Sequence, residues 1–274
     1  MRRLPLRWWL PGLLLLGLAA HLSWGIVYWV YSWPKDSLLP FADDFESGDL
    51  RRWQGLGWQQ LCCEHSLTVV ADPDGEGRSA RFELRRGDPP VRGSARAEVR
   101  MPAAQLGGTY RYAFRVWLPP DWEADPAPAM VVQWHSVVDK LLLEAGVSPP
   151  LRVVVIGEQW IVDNIWDSAR VSRWPGQRDE HPQGARLLWS GPLERGRWVR
   201  WEFVVRWSRQ GDGLIEVSKD GLPLLRASGP NTYRDLIGPY MKAGLYVPRW
   251  ADPGASAGPA RRIAYIDDIR VERY

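Results

Sequence analysis

From Phe41 onward the chain is a succession of short runs in which apolar and polar residues alternate, each closed by Gly, Pro or Asp. Leu67-Thr68-Val69-Val70, Ala80 to Leu84 and Ala95 to Arg100 open the series, and further runs occupy 110–118, 130–135, 151–156, 198–207, 214–218, 241–246 and 263–271. Turn chemistry separates them, as in Pro119-Pro120-Asp121, Gln210-Gly211-Asp212-Gly213 and Lys219-Asp220-Gly221. Period-two alternation marks a half-buried strand, and no apolar stripe of helical period competes with it here. Strands this short and numerous bury their apolar faces against one another, so the expectation is an all-β sandwich or jelly roll. Residues 41–274 read as one domain, without repeat or internal linker. The stretch Asp163 to Trp189 is the exception: Trp166, Arg173, Trp174, Arg178, His181 and Trp189 follow no clear period. It reads either as a binding loop or as a surface excursion pinned by its tryptophans.

The N-terminus obeys a different rule. Arg2, Arg3 and Arg7 precede an apolar run from Trp8 to Trp33, long enough for a membrane-spanning helix, which needs about 20 residues. Positive charge on the N-terminal flank predicts an N-terminus in the cytoplasm. Residues 1–33 are therefore expected to be an uncleaved signal anchor and 34–40 a linker, with the domain exported through the inner membrane to the periplasm or beyond. Secretion after cleavage near Gly17-Leu18-Ala19 is the rival; the run stays apolar and aromatic through Ile26 to Val30, which favours the anchor.

Composition narrows the function. A formal charge of +3 over 274 residues excludes the concentrated basic excess of a nucleic-acid binder. Trp is over-represented, 18 against 5 Phe, and carbohydrate-handling surfaces are one use for so many indoles. The two cysteines, Cys62 and Cys63, are adjacent, too few for a disulfide framework or a multi-Cys zinc site. Neighbouring strand residues point to opposite faces, so they are expected to be inert, partly buried thiols.

Three strands carry polar groups on one face. Period two puts Arg96, Glu98 and Arg100 together with Ala97 and Val99 opposite; Gln133 and His135 together with Val132 and Trp134 opposite; and Tyr240, Lys242, Gly244 and Tyr246 together with Met241, Ala243 and Leu245 opposite. A concave sheet lining a cleft has this pattern. The groups suit β-elimination at a uronic acid. The proton at C5 is only weakly acidic while the neighbouring carboxylate is charged, so a guanidinium or amide must neutralise that carboxylate. A base must take the C5 proton and an acid must protonate O4, and His or Tyr can serve either role. A tyrosine near cationic side chains has its phenolate favoured.

These segments resemble the three signature strands of the jelly-roll polysaccharide lyases: Arg96-Ala97-Glu98-Val99-Arg100, Gln133-Trp134-His135, and Tyr240-Met241-Lys242-Ala243-Gly244-Leu245-Tyr246. The superfamily includes alginate lyases, heparin lyase I and glucuronan lyase. The opening Asp43-Asp44-Phe45-Glu46-Ser47-Gly48-Asp49-Leu50, the Gln-Trp-His form and the closing Tyr265 to Val271 look closer to the heparin-lyase and glucuronan-lyase branch. The resemblance implies a concanavalin A-like β-jelly roll acting on an acidic polysaccharide as a monomer, without a cofactor for the chemistry. It implies that Arg96 and Gln133 neutralise the carboxylate, that His135 is a base or assists one, and that Tyr246 is the acid and also a candidate base. Lys242, Glu98, Arg100, Tyr240 and Trp174 are candidate substrate contacts. Ala97 replaces the usual Ser or Thr at a core-facing position, and Val247-Pro248 replaces the Asn-Gln of the alginate enzymes, which makes alginate less secure as the substrate.

The aspartates Asp43, Asp44, Asp267 and Asp268 sit at the two ends of the domain, where terminal strands pair. Asp44 and Asp268 are candidate ligands for a structural Ca²⁺, a role the same branch implies; the alternative is strand-end capping. Two other function classes stay open. A glycoside hydrolase would need two carboxylates about 5 to 9 Å apart, and no strand offers that pair. A non-catalytic, envelope-tethered carbohydrate-binding jelly roll would need the tryptophans, but not Arg, Gln, His and Tyr together.

Overall fold

The computed structural model describes residues 9–54, 59–177, 180–252 and 258–274. Arg2, Arg3, Arg7 and Arg178 lie outside them. The chain begins with the apolar helix α1 (Trp9–Ser32), and a single helical turn, α2 (Arg51–Gln54), follows the first strand. The strands are β1 (Phe41–Asp43), β2 (Leu67–Ala71), β3 (Arg78–Arg85), β4 (Ala95–Ala103), β5 (Thr109–Trp117), β6 (Ala129–Val137) and β7 (Leu151–Ile156), then β8 (Gln159–Trp166), β9 (Gly184–Pro192), β10 (Trp198–Arg206), β11 (Leu214–Lys219), β12 (Leu222–Ser228), β13 (Ile237–Val247) and β14 (Arg261–Arg273).

They form two antiparallel sheets. One runs β12-β11-β10-β5-β14-β3-β2, with β1 added to β14; the other runs β4-β13-β6-β7-β8-β9. The apolar faces meet as alternation demands: Ala97, Val99, Met241, Ala243, Leu245, Leu151 and Val153 from the second sheet pack against Phe114, Val116, Phe203, Ile215, Ala264 and Ile266 from the first. This is the expected two-sheet jelly roll.

The tryptophans are a correction. Trp134, Trp160, Trp201 and Trp207 are fully buried between the sheets, with Trp134 to Phe203 at 4.8 Å and Trp160 to Trp201 at 5.8 Å between ring centres. Much of the indole excess therefore fills the core, where large rigid rings supply apolar contact, rather than forming a carbohydrate platform.

The stretch that looked irregular from Asp163 to Trp189 is partly regular. Residues 163–166 end β8 and 184–189 begin β9. In β8 the outward positions include Ile161 and Ile165 as well as Gln159 and Asp163, so polar-apolar alternation is blurred although the strand period is kept.

The cysteines are a second correction: Cys62 and Cys63 are disulfide-bonded to each other. They precede the short 3₁₀ turn Glu64–Ser66 instead of lying in a strand, so the opposite-face argument does not apply to them.

Candidate active site

The three polar segments come together as adjacent strands of the second sheet. β13 lies between β4 and β6. On one side Tyr246 is paired with Arg96, Gly244 with Glu98 and Lys242 with Arg100; on the other Lys242 is paired with Gln133 and Tyr240 with His135. Gly244 is required at its position. Its φ is +136°, and a Cβ there would collide with the carbonyl of Ala97 and the Cα of Glu98.

Beneath the site is a buried polar layer centred on Glu98. One carboxylate oxygen accepts from the Gln133 amide and the other from the Lys242 amine, while the Arg96 guanidinium lies 3.6 Å away. Glu98 is 2 % exposed, and Gln133 and Lys242 are 1 % exposed. Burial pulls the Lys242 amine down to about 8, with Glu98 opposing the shift. Glu98 and Lys242 have no surface left for a sugar, so they support the site from below instead of contacting substrate. Gln133 spends one of its two amide N–H groups on Glu98, and of the two candidate carboxylate partners Arg96 is the more exposed.

Two clusters flank this layer. Toward one end, Arg96 stacks on the Tyr246 ring at 4.4 Å and donates to the Gln60 side-chain oxygen at 3.1 Å; the Lys242 amine is 5.9 Å from the same ring. Toward the other end, His135 stacks on Tyr240 at 5.6 Å and the Arg100 guanidinium lies 4.1 Å from that ring. Arg96, His135 and Tyr246 are half-buried, whereas Arg100 and Tyr240 are 6 % and 7 % exposed. Tyr240 packs against Tyr28 and Trp29 of α1, which makes it a backing group for His135. Burial raises its hydroxyl above the ordinary value, against the opposing pull of Arg100.

His135 Nδ1 lies 3.0 Å from the Ser136 carbonyl. A carbonyl only accepts, so Nδ1 carries the proton and Nε2 keeps its lone pair. Burial first, then the Lys242 charge, push the imidazole down to about 3. His135 is thus a neutral ring at ordinary pH and a weak base.

Sequence reasoning missed two contributors. Gln60 pairs its backbone with Glu98 (Gln60 N to Glu98 O 2.7 Å) and its side chain with Arg96; it sits in an irregular segment with no local signal. Arg152 is in register with Gln133 and ion-paired to Asp163, which extends the polar face across β7 and β8. Alternation along β7 could have indicated Arg152, but not its partner.

Trp174 stands 53 % exposed on the loop after β8, its amide bonded to Gln177, outside the network around Glu98. The calcium candidates do not fit a cation cage. β1 does pair with β14, with Asp43 opposite Ile269, but the Asp268 carboxylate faces the guanidinium groups of Arg115, Arg200 and Arg270. Asp44 accepts from the Glu46 amide, Asp43 from Trp53 and Phe45, and Asp267 from Arg115 at 2.8 Å. The aspartates serve arginines and turns.

The two-sheet jelly roll thus carries one polar face on its second sheet, with Arg96, His135 and Tyr246 over the buried Glu98 layer. The family model described as Polysaccharide lyase matches residues 45–270; the chain belongs to that family and is a polysaccharide lyase. No curated protein matches the sequence. Among solved structures it is similar to an endo-β-1,4-glucuronan lyase from the fungus Trichoderma reesei, with a TM-score of 0.67 and 19% identity over 85% of this chain and 94% of that one. It is also similar to the alginate lyase Aly36B, with a TM-score of 0.52 and 12% identity over 85% and 92%. At such identities these likenesses concern the fold.

Proposed function

We propose that the enzyme cleaves a uronic-acid polymer by β-elimination, with the sugar seated over the buried Glu98 layer between Tyr246 and His135. The observation that carries the reading is Arg96: a half-buried guanidinium held by Gln60 and stacked on Tyr246. There it can hydrogen-bond a uronate carboxylate and make the C5 proton removable. A base of pKa about 3 suits proton abstraction poorly, so Tyr246 in its phenolate form takes the C5 proton and, as the phenol so formed, passes it to O4, while neutral His135 hydrogen-bonds the reacting sugar. The C5–H electron pair becomes the C4–C5 double bond as the C4–O4 bond breaks. The positive charges of Arg96 and Lys242 beside Tyr246 are placed to stabilise the negative charge that develops. The fold likeness to a glucuronan lyase makes polyglucuronate the first polymer to test, with alginate and heparin beside it.

α1 is apolar and of membrane-spanning length near the N-terminus, features shared by an anchor and a signal sequence. The anchor reading, with the lyase domain outside the cytoplasmic membrane, is supported by the exposed aromatics Tyr31 and Trp33 at its outer end, where aromatic belts lie. The Cys62–Cys63 disulfide adds support, because such bonds persist in oxidising compartments.

The test is ultraviolet absorbance of the new double bond with each polymer. Tyr246→Phe should abolish it while leaving polymer binding intact, and Tyr240→Phe should retain most of the rate. Full activity of Tyr246→Phe with loss in Tyr240→Phe would move the acid–base role to the tyrosine stacked on His135. Binding without elimination of any polymer would favour a non-catalytic module.

A further inference from the structure

α1 meets the domain along one stripe. His21 Nε2 lies 3.3 Å from the Leu141 carbonyl. Gly25 is buried against the Leu141 side chain, where a Cβ would collide. Tyr28 and Trp29 pack on the cluster of Val137, Ile237 and Tyr240, and Ser32 is 2 % exposed. Positions 21, 25, 28, 29 and 32 fall on one face of a helix. Their seat is one end of the cleft: Tyr28 and Trp29 lie against Tyr240, and Ser32 borders a crevice with Arg100. Docked α1 therefore covers the ring that stacks on His135 and the guanidinium that lies on that ring.

This seat and a membrane crossing exclude each other. The part of the helix ahead of His21, Trp9 to Ala20, is about 18 Å long at about 1.5 Å per residue, and Arg7 closes the apolar run before it. A hydrocarbon core of about 30 Å needs about 20 residues, which takes the crossing as far as Tyr28 and strips His21 and Gly25 from Leu141. Keeping those contacts would instead draw Asp139, Lys140 and Arg170, which line the same junction, into hydrocarbon. The seat is also loosely made. A cavity of about 140 Å³ lies between α1 and the loop at Leu141, and Trp29 Nε1 and Ser32 Oγ are buried without a hydrogen-bond partner among the described residues. Each is a cost that release relieves. Meanwhile Leu14, Leu16, Ile26 and Val27 stand exposed on the rest of the helix, an apolar surface that a bilayer covers. The joint is short and independent of the sheets. Trp33-Pro34-Lys35 follows α1, and Asp36 is then held by the Tyr110 hydroxyl at 3.1 Å and by Arg273.

We propose that α1 is a releasable cap: docked on the domain it closes the Arg100–Tyr240 end of the cleft, and crossing a bilayer withdraws it and opens that end to the polymer. The inference rests on the proposed lyase site and on reading α1 as an uncleaved anchor. The enzyme is restrained until it is installed in its membrane, and its active form has Arg100 and the Tyr240 ring open beside His135. The cap acts on access of the polymer and not on proton transfer, because Arg96 and Tyr246 form the cluster at the opposite end of the Glu98 layer.

The cap is locked by pairing Gly25→Cys with Leu141→Cys in the full chain. A Cβ on residue 25 falls 3.6 Å from the Leu141 Cα, within reach of a disulfide, and shortening Leu141 removes the clash. In mild detergent the pair should close on oxidation. The locked enzyme should then lose about tenfold or more in kcat/KM on the polymer that wild type cleaves, the weight of one charged hydrogen bond, chiefly through KM, and recover on reduction. Wild type carried through the same oxidation and reduction controls for Cys62–Cys63. In vesicles of phosphatidylethanolamine and phosphatidylglycerol, where α1 crosses, the pair should stay open. Equal kcat/KM in the locked and reduced forms would show that docked α1 obstructs nothing. A pair that closes as readily in vesicles as in detergent would show that crossing does not withdraw the helix, and one that closes in neither would show that the seat is not occupied. Each of these three results overturns the inference and leaves the lyase reading standing. A wild type inactive on every polymer overturns both together.

Discussion

Removing the charge of Glu98 tests the architecture of the site most directly. Glu98→Gln keeps the volume and one acceptor, but leaves the Lys242 amine, 1 % exposed, without its counter-charge. The amine already sits at about 8 against an ordinary 10.5 with Glu98 in place, a burial penalty of about 3 kcal/mol at 1.36 kcal/mol per pKa unit. Without the carboxylate the opposing pull disappears and the amine falls further. Breaking one side of a buried pair costs about 3 to 5 kcal/mol, and a loss in that range is expected near pH 7 by guanidinium unfolding of the full chain in mild detergent. The pH dependence has a definite sign. Below about 8 the wild-type amine is protonated in both states and contributes no slope. In the variant the folded state releases that proton at lower pH while the unfolded lysine still holds it. The unfolded state then binds more protons, so the variant gains stability as pH rises. Its deficit relative to wild type should shrink up to about pH 8 and stay level above. Adding Lys242→Met should recover at least half of the loss. A deficit below about 1 kcal/mol at pH 7, the size of an exposed ion pair, or no recovery in the double variant, would refute the buried-layer reasoning.

Other outcomes follow from the same geometry. Gly244→Ala should destabilise the fold by at least about 3 kcal/mol, from left-handed backbone strain plus a clash with the Ala97 carbonyl; thermal unfolding checks it, and an unchanged melting temperature contradicts it. With His135 held at about 3, kcat/KM should show no inflection near pH 6.5, the ordinary histidine value; an acid limb centred there would mean that a protonatable imidazole is part of the mechanism. The folded imidazole also refuses a proton that the unfolded one accepts below about 6.5, so stability should fall as pH drops from there toward 3. The unreduced chain should take up no alkylating agent and two equivalents after reduction, because Cys62 and Cys63 are bonded to each other; uptake without reductant would contradict the bond.

The polar face was legible because a strand has period two. Once Arg96-Glu98-Arg100, Gln133-His135 and Lys242-Tyr246 were placed on strands, their shared side followed, and Ala97, Val99, Ala243 and Leu245 were bound to point inward, as they do. Depth was not legible. Alternation says which face a side chain takes, not what lies above it. Only the pairing of β4, β13 and β6 brings Gln133 and Lys242 onto Glu98 and turns three expected surface groups into a buried layer.

The sequence by itself thus determined the two-sheet class, the apolar N-terminal helix and the face carrying the chemistry, since each depends on residues within a few positions of one another. Tertiary structure decided the rest. It placed tryptophans such as Trp134 and Trp201 in the core, and brought Gln60 to Arg96 across 36 residues. It bonded Cys62 to Cys63 in a turn, surrounded Asp268 with arginines, and packed α1 against the loop at Leu141, 120 residues from His21. Apart from the disulfide between neighbours, these contacts join segments far apart in the chain, and local periodicity carries no information about which distant surfaces meet.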